Sequence, residues 1–228
     1  NNFPKVMKNL GYSADDAAAS IKRISASIDG LPTTTSSMIG MVQQLAPLTK
    51  NLDEATSIAL AFNNAVLAGG KDTVMQANAI EQFNQMLSAN KVDAAAWRSV
   101  VNAMPGQMNQ LAKSILGANA KQNDLYEAMK SGKVTFTDFN NALVKLNKDG
   151  YGQYASFTQQ AKDATQGIGT AMENARNRVQ KAIEKIIEAF GVDRISDVIN
   201  RFTSKFGDIG TAAATAVSGA VEFIESGN

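Results

Sequence analysis

The sequence predicts an all-α protein, a multi-helix orthogonal bundle of short helices followed by a long amphipathic helix. Apolar residues recur at spacings of three and four along nearly all of the 228 residues. Alternating runs of β-branched residues, which would indicate strands, are almost absent. Gly and Pro interrupt the helical pattern repeatedly, so most of the helices are predicted to be short.

The composition excludes most catalytic and metal-binding chemistry. The chain has no Cys and no His, and its 22 Lys and Arg balance 21 Asp and Glu. It therefore lacks disulfides, thiolate or imidazole metal ligands, and any nucleophile with a His base. The balanced charge gives no general attraction to nucleic acid or to an anionic membrane. We expect no catalytic residues, no cofactor, no metal and no nucleic-acid specificity.

Four helices are predicted in the first ninety residues. The signals are a capping residue where each helix begins, followed by an apolar stripe or by a residue that ends the helix. Asp53 and Asp72 are predicted to cap the third and fourth helices. Gly69 and Gly70 between them allow a left-handed turn. The four predicted segments run from Ser13 to Gly30, from positions 33–37 to Pro47, from Asp53 to Gly69, and from Asp72 to Leu87.

Three more helices are predicted between Asp93 and Gly132, with breaks at Pro105 and Gly117. Trp97 lies on an apolar helical stripe, where a Trp usually belongs to the core. Trp97, Met104 and Pro105 are therefore predicted to be structural residues. The methionines at stripe positions are interpreted as core fillers, in preference to a promiscuous binding surface.

The stretch MKSGKVTFTDF, residues 129–139, looks at first like a calcium loop. With Gly132 at position six of such a loop, Met129 occupies position three, where a carboxylate or amide oxygen is needed. The calcium interpretation is therefore rejected. Gly132 is instead predicted to end one helix, Thr135 and Asp138 to form a capping box on the next, and Phe139 to face the core.

The middle of the chain, from Leu52 to Leu146, carries three segments in order: ALAFNNAVLAGG, AAAWRSVVNAMPGQMNQLAKSILGA and LYEAMKSGKVTFTDFNNALVKL. They look like a helix ending in small residues, a Trp and Met-Pro segment, and a Gly-x-Val joint. In this order they resemble the tape measure domain of tail tape measure proteins from long-tailed bacteriophages or prophages. The resemblance brings no catalytic residue with it and implies a structural role.

The resemblance also implies partners and a location. Such a protein sets the length of the tail tube during assembly, is held by tail assembly chaperones, is enclosed by the tail tube protein, and leaves the tail on infection. It self-associates inside the tail, is made in the cytoplasm of the host bacterium, and ends in the virion tail.

After Asn147 a heptad seam begins at Tyr154 and continues to Phe190, which predicts a helix of about 55 Å at about 1.5 Å per residue. Packing on its own domain and self-association as a coiled coil both remain open. Alternating Arg, Lys and Glu between 173 and 188 are interpreted as a solvated face, in preference to a nucleic-acid stripe.

Four regions are predicted: an N-terminal helical segment (1–50), a tape measure core (51–147), the long helix and a following helix (148–206), and a small-residue, mildly apolar segment (207–228).

Because the chain begins at Asn1 without Met, we expect an internal fragment. The uncharged run Ile209 to Val221 is too short to span a membrane, unless it continues beyond residue 228. It motivates one alternative function, a membrane-active helical toxin or envelope-penetrating effector. An enzyme such as a cell-wall hydrolase would need a paired-carboxylate cleft, which the acid pairs at helix starts do not indicate.

Overall fold

Residues 3–71 and 73–166 are described by the computed structural model, and they fold into helices joined by short turns. The all-α prediction is confirmed for these residues, while the orthogonal arrangement stays a prediction. Contacts group Asn1–Gln166 into one compact unit. The α-helices are α1 (Phe3–Asn9), α2 (Ala14–Ser27), α3 (Thr35–Leu45), α4 (Leu52–Ala68), α5 (Thr73–Ala89), α6 (Ala94–Ala103), α7 (Pro105–Leu116), α8 (Gln122–Lys130), α9 (Phe136–Asp149) and α10 (157–166).

Side-chain caps begin several of these helices where the sequence predicts them. The Ser13 hydroxyl accepts a hydrogen bond from the Asp16 backbone N–H at 3.0 Å. One carboxylate oxygen of Asp93 accepts from the N–H groups of Ala95 and Ala96, both at 2.9 Å. These bonds satisfy backbone donors that have no partner within the first turn of a helix.

The predicted cap of α4 was wrong by two residues. Asn51 is the N-cap, because its side-chain oxygen accepts from the Glu54 N–H at 2.8 Å. Asp53 lies in the first turn, where it pairs with Arg23 of α2. Helix α1 and a short 3-10 helix at Ala46–Leu48 were not predicted. The predicted cap Asp72 lies outside the described residues.

Helix α4 is the central helix of the compact unit. Thirteen of its seventeen residues are buried, because α2, α3, α5 and α9 all pack against it. The sequence predicted only one apolar stripe on this helix. Around α4, helix α5 packs along α6, α7 packs against α8 and α9, and α1 packs against α2 and α3.

A tight turn separates α9 from α10. Gly150 and Gly152 have φ angles of 72° and 57°, and Tyr151 and Tyr154 form a two-way backbone bridge. The bridge keeps Tyr154 out of the helix, so α10 begins at Phe157 and the predicted start at Tyr154 was wrong. The remainder of the predicted long helix, the heptad seam beyond Gln166, the charged face and the 207–228 segment lie outside the described residues.

Candidate functional site

The joint between α8 and α9 has the geometry that the sequence predicts for a helix-turn-helix connection. Gly132 has a φ of 76°, in the left-handed region that favours glycine. The Val134 N–H then donates to the Ala128 carbonyl at 3.0 Å, which closes the end of α8. Gly132 itself is exposed, and the joint lies at the surface of the compact unit.

Thr135 and Asp138 form a complete capping box at the start of α9. The Asp138 carboxylate accepts from the backbone N–H and from the hydroxyl of Thr135, each at 2.8 Å. These two hydrogen bonds lower the pKa of the Asp138 carboxyl group below its ordinary value, with the backbone bond the larger cause.

Trp97 and Phe139, two predicted structural residues, meet in one aromatic cluster. Their ring centroids lie 6.2 Å apart in an edge-to-face arrangement. Phe139 also contacts Phe83 at 5.7 Å, and Trp97 contacts Tyr126 at 5.8 Å. The Trp97 indole N–H donates to the Gln122 side chain at 3.2 Å. The cluster therefore ties α5, α6, α8 and α9 together.

Met104 and Pro105 form the corner between α6 and α7. Met104 is fully buried and leaves helical geometry with φ and ψ of −143° and 61°. Pro105 occupies the first turn of α7, where its missing N–H costs nothing. The end of α4 touches this corner closely, because a Cβ added to Gly69 would lie 2.1 Å from the Ala103 carbonyl oxygen.

Residues 3–71 and 73–166 contain no group of three or more acidic side chains placed to hold a metal ion. The acid pairs at Asp15 with Asp16 and at Asp53 with Glu54 lie in the first turns of α2 and α4, where negative charge interacts favourably with the helix dipole. The geometry of these residues is that of helix starts.

A buried amide network that the sequence analysis missed links α4, α9 and α10. Asn63 and Asn64, both buried in α4, hydrogen-bond to each other at 3.3 Å. Asn64 also donates to the Asn147 side chain of α9 at 2.9 Å. The sequence did contain a signal for this network, namely two adjacent Asn residues inside the apolar run ALAFNNAVLAGG. Polar groups on a buried helix require hydrogen-bond partners.

A cleft of about 380 Å³, lined by polar and apolar side chains alike, lies over this network. Its floor is α4, and its walls come from the end of α2, the end of α9, and α10. Arg23 extends along one wall, donates to the Ser57 hydroxyl at 3.0 Å and pairs with Asp53. The side chains that line the cleft include Arg23, Ser27, Asp29, Ser57, Asn64, Asn147, Lys148, Thr158 and Lys162.

The comparison with protein families decides the identity of the chain. A family model described as "Tape measure protein" matches residues 1–188. The chain belongs to the tape measure protein family. No curated protein and no solved structure matched in the corresponding searches.

Because the chain belongs to the tape measure protein family, it is a structural component of a phage tail, as the resemblance in its sequence implied. The match is wider than the predicted core at 51–147, since it begins at residue 1 and includes α1 to α3. The family is a structural one, and the context of its members is tail assembly. None of the helices in the described part of the chain is long and apolar enough to cross a membrane.

Proposed function

We propose that this chain is a segment of a tape measure protein that helps to set tail length during assembly and takes part in genome delivery. Family membership over residues 1–188 is the observation that carries the proposal. The helical architecture supports it, because the end-to-end length of a helical chain is proportional to its number of residues. The proposal needs no catalytic residue, and Trp97, Met104, Pro105 and the joint at Gly132 act as structural residues in it.

The proposed partners are the tail tube protein, tail assembly chaperones and other copies of the chain. Inside a narrow tube, a compact unit of 166 residues would need a diameter of about 40 Å, from a radius of gyration of about 15 Å. A single helix needs only about 10 to 12 Å. Several compact copies therefore do not fit side by side in a narrow lumen. In our proposal the unit opens at its helix joints inside the tube, or lies at one end of it.

Opening exposes the apolar core around α4, so the extended chain needs a partner that covers it. Tube subunits and chaperones are the proposed partners, because their contacts would offset the loss of core packing. The proposed site of synthesis is the cytoplasm of the host bacterium, where chaperones would meet the chain before the tube encloses it.

The length proposal is tested by an in-frame deletion in the complete phage gene. Removing residues 3–149 should shorten the tail by about 220 Å if the segment lies in the tube as extended helix, at about 1.5 Å per residue. A shortening of about 40 Å or less indicates a compact segment. The matched control replaces the same residues with a foreign helical sequence of equal length, which should restore normal tail length. If that replacement gives short tails, chain length in this segment does not set tail length.

The opening of the joints is tested by a disulfide lock. The chain contains no Cys, so two cysteines introduced on either side of the Gly132 joint form a single defined bridge. Oxidation before assembly should block or misplace tail assembly if the joint opens, and reduction should restore it. Normal tails with the locked unit located in mid-tube would refute the opening.

A further inference from the structure

Within residues 157–166, which the structure describes, helix α10 is attached to the compact unit by few buried apolar side chains. Phe157 and Ala161 are fully buried, and Thr165 is 4% exposed. Phe157 joins the main core, whereas Ala161 forms a small separate cluster with Leu31 and Leu67. The central helix α4, by contrast, buries thirteen residues. The apolar attachment of α10 therefore depends mainly on one aromatic ring.

The first set of polar contacts to α10 is a cluster of three glutamines. Gln110 and Gln160 hydrogen-bond in both directions, at 3.3 and 2.8 Å. Gln107 donates to the same Gln160 oxygen at 2.9 Å. Gln107 and Gln110 are both buried, and the side-chain oxygen of Gln107 has no hydrogen-bond partner. When α10 detaches, water can hydrogen-bond to this oxygen. Detachment therefore removes the free-energy penalty of burying an acceptor without a partner.

The second set of polar contacts involves Thr158. Its hydroxyl donates to the Asn147 backbone carbonyl at 2.8 Å, and Asn64 lies 3.4 Å from the same hydroxyl. Neutral hydrogen bonds of this kind stabilise a folded state only modestly, because water replaces them when they open. The amide and hydroxyl contacts thus fix the orientation of α10 but add little to the free energy needed to detach it.

The turn before α10 supplies a hinge. Gly150 and Gly152 occupy left-handed backbone conformations, and two backbone hydrogen bonds between Tyr151 and Tyr154 close the turn, at 3.1 and 2.9 Å. Opening this bridge frees the backbone between Asp149 and Phe157. Helix α9, which precedes the hinge, keeps its own buried residues in the core.

We propose that α10 detaches reversibly from the compact unit as one element, while the helices from α1 to α9 stay folded. Local opening of this kind occurs where few apolar contacts hold an element. Release also removes Thr158 and Lys162 from the wall of the cleft over α4. The property belongs to the folded unit and holds whether or not the chain extends inside a tail.

Thiol labelling tests the proposal, because the chain has no Cys of its own. The variants Ala161→Cys and Ala65→Cys each place one thiol at a fully buried alanine, the first in α10 and the second in α4. In the full chain under native conditions, the thiol at 161 should react at least tenfold faster than the thiol at 65. Adding Phe157→Ala should accelerate labelling at 161 at least tenfold further and leave labelling at 65 within twofold. Equal rates at the two positions would show that α10 opens only with the whole unit and would overturn the proposal.

Hydrogen exchange on the unaltered chain gives a second test that requires no substitution. The backbone N–H groups of Gln160, near the start of α10, and of residues 161–166 should exchange at a common rate at least tenfold above that of the core of α4. Gln160 N–H donates to the Ser156 carbonyl at 2.9 Å and so reports the first turn. A gradient of rates along the helix would indicate end fraying, and protection equal to that of α4 would indicate global unfolding. Either result overturns release as a unit.

Discussion

Thr135 and Asp138 satisfy each other's hydrogen-bonding groups across the first turn of α9. The Asp138 carboxylate accepts twice from Thr135, and the Asp138 N–H donates to the Thr135 hydroxyl at 3.1 Å. The box sets the direction in which α9 leaves the Gly132 joint. Phe139, the residue after Asp138, is buried and contacts the rings of Phe83 and Trp97.

Replacing Thr135 with Ala should lower the free energy of unfolding by about 1 kcal/mol, the usual cost of losing an N-cap side chain. The measurement is denaturant unfolding followed by circular dichroism. Thr137→Ala is the matched control, because Thr137 is exposed in the first turn of the same helix and makes no cap. Its effect should stay within about 0.5 kcal/mol. Equal losses in the two variants would show that the cap adds nothing beyond local helix propensity.

The stability that Asp138 contributes should depend on pH. Its pKa is lowered in the folded state from the ordinary value of 3.8, so its contribution is present above that value and is lost as pH falls through the folded pKa. Asp138→Asn should therefore be less stable than the parent at neutral pH, and the difference should shrink in acid, below about pH 4. Melting temperatures of both proteins over this range give the test. A difference that is the same at every pH would mean that the ionised carboxylate is not responsible.

Gly69→Ala should destabilise the unit by about 1 to 3 kcal/mol, because the new Cβ collides with the Ala103 carbonyl and forces α4 and α6 apart. Gly40→Ala is the control, since a Cβ on Gly40 in α3 meets nothing within 4 Å. That change should stabilise the protein by up to about 1 kcal/mol through helix propensity. Denaturant midpoints measure both. A neutral Gly69→Ala would show that the two helix ends lie further apart than described.

Ser20 and Thr56 form a buried hydrogen bond of 2.7 Å between α2 and α4. Thr56 donates its own proton to the Leu52 carbonyl, so Ser20 must be the donor in the pair. Thr56→Val should cost about 1 to 3 kcal/mol, because it leaves the Ser20 hydroxyl buried without an acceptor.

The double variant Ser20→Ala with Thr56→Val should recover much of that loss, since both polar groups are then gone. Unfolding free energies of the two single variants and the double variant complete the thermodynamic cycle. Strict additivity would show that the two hydroxyls contribute independently.

Millimolar calcium should leave the melting temperature unchanged. In the loop numbering that Gly132 imposes, Met129 and Ser131 occupy ligand positions and bring no negative charge. Calorimetric titration and thermal melts, with a chelator as the reference condition, give the measurement. Stoichiometric heat together with a rise of several degrees would establish a calcium site.

Local signals in the sequence predicted the helices and the Gly132 joint well. Ser13, Asp93 and Thr135 cap helices through bonds to neighbouring residues, and such short-range bonds leave a pattern in the sequence. The exception is instructive. Asp53 looked like a cap but instead pairs with Arg23, thirty residues earlier, and a contact at that distance along the chain leaves no periodic signal.

Tertiary arrangement was the part that the sequence could not supply. The helical apolar pattern predicts that Trp97 and Phe139 lie in the core, yet the contact between them depends on how α6 and α9 meet. Likewise, the burial of α4 on nearly every face follows from which helices surround it. The amide clusters at Asn64 and Gln160 were missed for the same reason, because their partners lie about fifty to eighty or more residues away.

The central position of α4 also bears on how a gene for this chain can exchange segments with its relatives. Helices from both sides of α4 in the sequence, α2 and α3 before it and α5 and α9 after it, share its surface. A recombination point between the coding regions of these helices would join two halves of the unit whose packing surfaces had diverged independently. Residues 3–149 should therefore be inherited as a block, and chimaeras joined at the Gly69–Gly70 turn should fold poorly even though that turn is a natural break in the helical pattern.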